Sequence, residues 1–123
     1  RGFLTGVVKR AEEYEESDWR RKNFPRVQGE NFDRNAWIAD AVREIAARKG
    51  CTPAQIALAW LLHQGTDFVP IPGTKRLAYL RENVAAADLR LTAEDLAWID
   101  EKIPADVAQG DRYGEGGMRL LDV

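Results

Sequence analysis

Few side chains in this sequence are equipped for chemistry, and most of those lie in one stretch. Residues Val69-Pro70-Ile71-Pro72-Gly73-Thr74-Lys75-Arg76 run on to Asn83, a pattern that predicts a strand, a glycine turn and the start of a helix. The first amides of a helix have no intrahelical acceptor and sit at the positive end of its dipole, so such a start favours an anion, above all a phosphate. Gly73 allows close backbone approach, Thr74 offers a hydroxyl, and Lys75 and Arg76 add positive charge. Arg76, Tyr79 and Asn83 fall at i, i+3 and i+7 and share one helical face. A cation, an aromatic ring and an amide together suit a phosphorylated nucleoside. The order Gly-Thr-Lys lacks the spacing of a P-loop. The residues alone leave a second reading open: a well-capped helix whose charges are solvated.

Rare residues exclude other chemistries. His63, Ser17 and Cys51 each stand alone among 123 residues. No spaced Cys/His set exists, so no metal site is expected. A Ser-His-Asp triad would need two isolated residues to meet, with nothing in the sequence to bring them together. One cysteine makes no intrachain disulfide, which suits a reducing, cytoplasmic setting. Eighteen basic residues against twenty acidic ones leave a net charge of −2, without the basic footprint of a nucleic-acid or anionic-membrane partner. No apolar run approaches the roughly 18 residues of a membrane span. The expected partner is a small molecule; oligomeric state is not readable. The sequence opens on Arg1-Gly2 rather than Met, which reads as a segment of a longer protein.

The elements that must position these residues are mostly helical. Residues 1–30 read as a long loop punctuated by Gly2, Gly6 and Gly29, with alternating charge blocks that form a solvated surface. Residues 31–49 read as a helix with Trp37, Ile38, Ala41, Val42 and Ile45 on its apolar face, ended by Gly50. Thr52, Pro53 and Gln55 begin a second helix as cap, first-turn proline and capping-box partner. Its run from Ile56 to Leu62 is apolar all round and must be covered on most sides. Residues 67–72 are the one clear strand, although Pro70 and Pro72 cannot donate ladder hydrogen bonds. A third helix over 77–87 turns Leu77, Leu80 and Val84 inward. A fourth starts at Thr92, with Asp95 closing its cap and Leu91 and Leu96 as a staple. The glycine-rich tail after Gly110 reads as extended or mobile. A lone strand and an over-apolar helix both point to a part of a larger α/β protein.

Taken in order, these pieces resemble a known family. Residues 1–6 (Arg-Gly-Phe-Leu-Thr-Gly), 25–31 (Pro-Arg-Val-Gln-Gly-Glu-Asn), 52–60 (Thr-Pro-Ala-Gln-Ile-Ala-Leu-Ala-Trp), 69–76, Glu82-Asn83, Leu91-Thr92 and Gly110-Asp111-Arg112-Tyr113 are collinear. The whole is similar to the C-terminal part of an aldo-keto reductase, of the branch that includes bacterial and plant enzymes and potassium-channel β subunits. The resemblance implies an α/β fold, the C-terminal portion of a (β/α)8 TIM barrel. Residues 1–30 would be the loop after strand seven; residues 31–90 would hold helices, strand eight and the last barrel helix; residues 91–123 would hold an extra helix and the tail. It implies an oxidoreductase that reduces aldehydes or ketones to alcohols with NADP. Gly73, Thr74, Lys75 and Arg76 would hold the adenosine 2′-phosphate, and Glu82 and Asn83 would contact the adenine. Tyr79 stands where relatives carry another basic residue and would stack on the adenine instead. Arg1 would meet the pyrophosphate. Relatives shape their substrate pocket near Arg112 and Tyr113. The family's catalytic Asp, Tyr, Lys and His would lie upstream of Arg1, so no catalytic residue is expected here and the isolated segment should be inactive. His63 does not match the catalytic histidine. The alternative is a non-catalytic binding or regulatory module on the same barrel.

Overall fold

The structure, a computed structural model, describes residues 2–121. Arg1, expected at the pyrophosphate, lies outside them. The regular elements of the described residues are α1 (Trp19–Asn23), α2 (Gly29–Lys49), α3 (Pro53–Leu62), α4 (Leu77–Ala85), α5 (Ala93–Lys102) and α6 (Glu115–Met118). Tight 3-10 turns form at Phe3–Thr5, Ala11–Glu13, Pro25–Val27 and Ala86–Asp88.

The long helix α2 organises the core. Ile38, Ala39, Val42, Ile45 and Ala46 recur every three or four residues and are buried. Trp37, expected on this face, is exposed on the flank. At the C-terminal end Gly50 takes a left-handed φ of 65°. Its N–H reaches Ala47 O at 3.3 Å, and the Cys51 N–H reaches Ala46 O at 3.0 Å. This closure satisfies the last carbonyls and turns the chain back along α2.

Helix α3 starts as its sequence requires. Thr52 accepts the Gln55 N–H at 3.2 Å, and the Gln55 side chain accepts the Thr52 N–H at 3.0 Å. Ile56 and Ala59 then pack with Val42, Ile45, Ala46, Leu91 and Ile99 into the main cluster. Burying such an aliphatic side chain contributes about 1.5–3 kcal/mol. The rest of α3 is only half-covered, and Leu62 is exposed. Helix α5 repeats the capping box with Thr92 and Asp95, and Leu91 and Leu96 both join the main cluster. Across the cluster, Lys49 Nζ meets Asp95 Oδ2 at 2.7 Å.

Residues before α2 are more ordered than a loop. Ala11, Tyr14, Phe24 and Val27 are buried together, with Phe3, Val8 and Phe32 against them. Glu12, Glu15, Glu16 and Lys22 are exposed as a solvated surface requires, while Arg10, Arg20 and Arg21 are engaged. Arg10 pairs with Asp33 and lies over the Phe32 ring at 5.0 Å, while Arg20 lies over Tyr14 at 4.2 Å.

Two expectations fail beyond α3. Residues 67–72 form no strand, and no strand occurs among the described residues, so the architecture here is helical rather than α/β. A strand exists by its hydrogen-bonded neighbour. Pro70 and Pro72 lack N–H groups, and no described segment pairs with the remainder, so the backbone runs without a ladder. Val69 and Ile71 are 80% and 91% exposed. Helix α4 likewise buries none of its residues. Leu77, Leu80 and Val84, expected to face inward, are exposed because nothing in the described residues packs on that stripe.

Candidate functional site

Residues 73–83 form the approach and first turns of α4. Gly73 is exposed, and a Cβ built there would meet nothing within 4 Å, so a ligand could come close. The Thr74 hydroxyl oxygen accepts the Arg76 N–H at 3.1 Å, which tightens the turn into the helix. Arg76 is the N-cap residue and gives no side-chain cap. The first intrahelical bond, from Leu80 N–H to Arg76 O, measures 3.0 Å, so the amides of Leu77, Ala78 and Tyr79 have no acceptor in the helix. Lys75 and Arg76 are exposed, and neither pairs with a carboxylate among the described residues. The Arg76 guanidinium lies 5.5 Å from the centroid of the Tyr79 ring, which holds both on the shared face expected from their spacing.

Glu82 and Asn83 lie one turn further on, both half-buried. Glu82 Oε1 accepts the Thr52 hydroxyl proton at 2.7 Å, and Glu82 O accepts from Gln55 Nε2 at 3.1 Å. The cap of α3 is therefore bonded to the middle of α4. The Asn83 side chain has no hydrogen-bond partner among the described residues. The structure thus gathers Gly73, Thr74, Lys75, Arg76, Tyr79, Glu82 and Asn83 along one short element. The arrangement offers free amides and two cations at one end, and a carboxylate and an amide at the other.

Thr52 and Gln55 gain a second role that their capping pattern alone did not reveal. A second group, around Asn35, escaped sequence reading entirely. Asn35 is 2% exposed. Its Nδ2 donates to Arg26 O at 3.2 Å and Gln109 O at 2.8 Å, and its Oδ1 accepts the Gln109 N–H at 2.7 Å. Arg26 Nε donates to Gly110 O at 3.2 Å. Gly110 has φ 85°, and a Cβ there would stand 2.7 Å from Asn31 Nδ2 and 3.2 Å from the Pro25 backbone. These contacts pin Gln109 and Gly110 to α2 and its approach, and the tail beyond them, expected to be extended or mobile, forms helix α6 at Glu115–Met118. The legible signal was a polar residue at a position of the buried stripe of α2, three and four residues before Ile38 and Ala39.

The solitary reactive residues carry no constellation. His63 Nδ1 lies 2.7 Å from Ala59 O, one turn back in α3. Cys51 is half-buried, and burial pushes its thiol above the ordinary range, away from the reactive thiolate. No group of three metal-binding side chains gathers among the described residues, and no helix there is long and apolar enough to cross a membrane. Two open clefts, of about 430 and 490 Å³, lie beside Tyr14 and beside Arg112; neither touches residues 73–83.

Comparison with known proteins is consistent over nearly the whole chain. The model of the Aldo/keto reductase family matches residues 1–104. The chain is 38% identical over 122 residues to aldo-keto reductase str7 of Strobilurus tenacellus, covering 99% of this chain and 36% of that protein. It is 44% identical over 124 residues to aldo-keto reductase yakc (NADP(+)) of Schizosaccharomyces pombe, again covering 99% of this chain and 36% of the relative. The chain therefore spans about a third of the length of these curated relatives.

Proposed function

The chain belongs to the aldo/keto reductase family, and from that premise we propose that it supplies the adenosine-phosphate grip of an NADP-dependent oxidoreductase that reduces aldehydes or ketones. The 44%-identical relative carries NADP(+) in its name, and the residues here suit that cofactor. The observation that carries the reading is the start of α4: uncapped amides, an open glycine and two cations without carboxylate partners, side by side. A phosphate monoester at that point would receive backbone N–H groups and charge-assisted bonds from Lys75 and Arg76. Tyr79, held beside Arg76, offers a ring face for the base. Glu82 and Asn83 offer an acceptor and an amide to its edge.

When bound, the dihydronicotinamide supplies a hydride to the carbonyl carbon. The residues of this chain act at the other end of the cofactor, fixing its position by gripping what does not react. No residue of the chain is assigned the proton transfer to the carbonyl oxygen. In the family resemblance that group would lie upstream of Arg1, and on this reading the chain alone should not turn over substrate. Arg1 is proposed at the pyrophosphate, on resemblance alone.

The test is cofactor titration by fluorescence in the intact protein. Each charge-assisted bond contributes about 1.5–3 kcal/mol, so Arg76→Ala should weaken NADPH about 10- to 150-fold while NADH is barely changed. Lys75→Ala should weaken it less, because a guanidinium grips a phosphate with two bonds and an ammonium is a point charge. Equal weakening of NADPH and NADH, or none, would place the phosphate elsewhere.

A further inference from the structure

The cap of α3 does more than capping requires. An N-cap side chain needs only an oxygen lone pair, to accept the amide three residues on. Thr52 uses one for Gln55 N–H, and its hydroxyl still has a proton to place. That proton goes to Glu82 Oε1 at 2.7 Å. The Gln55 side chain, after closing the capping box through Oε1, uses its Nε2 to hold Glu82 O at 3.1 Å. Glu82 is thus fixed at both backbone and carboxylate by a helix 30 residues earlier in the chain.

One carboxylate oxygen remains. Glu82 Oε2 has no hydrogen-bond partner among the described residues, and an ionised carboxylate can only accept. The next residue, Asn83, carries an amide with no hydrogen-bond partner among the described residues, which can both donate and accept. A fixed acceptor suits a base edge that carries an exocyclic amino group, and the Asn83 amide can serve a ring nitrogen of the same base. That acceptor rejects an edge that carries a carbonyl oxygen there, because two acceptors would face each other.

We propose that Thr52 is a positioning residue, whose hydroxyl holds the Glu82 carboxylate for the purine amino group, so that the capping box of α3 sets the base preference of the cofactor site. The inference rests on the proposed cofactor reading, with Glu82 at the adenine. It makes Thr52 matter for which base is bound, not merely for whether α3 is stable.

The test uses the intact protein and two probes, NADPH and its deaminated analogue with hypoxanthine in place of adenine. The wild type should prefer NADPH by about tenfold or more, the usual penalty for losing a charge-assisted bond. Thr52→Ser keeps both hydrogen bonds and should keep the ratio. Thr52→Asp keeps a good cap but lacks the proton and sets a second carboxylate against Glu82, so the ratio should fall several-fold towards one. Thr52→Gly, the mildest replacement of a cap, removes the hydroxyl without adding charge and should do the same; it serves where the aspartate variant does not fold. A merely structural role would weaken both probes in parallel and leave the ratio alone. Glu82→Gln separates the two ways of failing. If it lowers the ratio while the aspartate and glycine variants do not, the positioning role of Thr52 is overturned and the cofactor reading stands. If Glu82→Gln also leaves the ratio unchanged, Glu82 is not at the base, and the placement of the adenine falls with the inference.

Discussion

The cluster between α2, α3 and α5 and the segment running from residue 66 through α4 carry similar apolar patterns and meet opposite fates. Ile45 and Ile56 are 0% and 2% exposed, whereas Ile71 is 91% exposed and Val84 64% exposed. Both regions contain β-branched and leucine side chains at element spacing, and both have elements that begin where their caps and turns say. The difference is the partner. In the cluster, the turn at Gly50 and the cap at Thr52 fold α3 back on α2, so each stripe finds another within a short stretch of chain. The 66–84 segment meets α3 through the bonds of Thr52 and Gln55 to Glu82. Its free side is the one that offers amides, cations and ring to a ligand. A region that packs on itself gains stability; a region left uncovered keeps its polar groups free for a ligand.

That contrast can be broken first by deletion in each region. In the 123-residue chain, Ile56→Ala should cost about 2–5 kcal/mol, the range for emptying a packed aliphatic site. Val84→Ala should change stability by less than about 0.5 kcal/mol, as expected of an exposed position. Urea unfolding midpoints measure both. A comparable loss at Val84 would mean that its stripe is covered after all.

A smaller effect sharpens the contrast through pH. The Lys49 ammonium, together with the Thr92 backbone amide, holds the Asp95 carboxyl below the ordinary carboxylate range. Because the folded value lies below the unfolded one, the contribution is complete above the unfolded value of about 4 and is lost as pH falls through the folded value. Lys49→Met should therefore lose about 0.5–1 kcal/mol at pH 7, and the deficit should close as the medium is acidified. The comparison is Asp18, half-buried and held at about 2 by Arg20, whose guanidinium also lies over the Tyr14 ring. Arg20→Met removes that pair and the ring contact together, so its deficit should close only in part on acidification. Denaturant titrations at several pH values decide it, and a deficit for Lys49→Met that persists in acid would contradict the assignment to this pair.

What the sequence made legible follows from how local each signal is. Thr52 with Gln55, Thr92 with Asp95, and Gly50 act within four residues of themselves, and their helices begin or end where those residues stand. The strand expected over 67–72 does not form because alternation and branching describe a residue's fitness for a sheet, while the sheet itself needs a neighbour that no described residue provides. The inward stripe of α4 was misread for the same reason. Residues 1–30 looked like a solvated loop because their charges dominate the pattern. The rings of Tyr14 and Phe32, on which Arg20 and Arg10 lie, are what draw those charges down. For the candidate site, the face shared by Arg76 and Tyr79 was readable from spacing. The bond from Thr52 to Glu82 was not, because two residues 30 apart carry no mutual pattern.

The most direct test of the central claim, that the uncovered start of α4 is where the cofactor's adenosine end binds, is amide hydrogen exchange in the intact protein with and without NADPH. The account predicts protection over residues 74–83, strongest at the amides of Leu77, Ala78 and Tyr79, with little change along the buried face of α2. Exchange over residues 74–83 that stays the same on saturation with NADPH, while protection appears elsewhere in the chain, would contradict it.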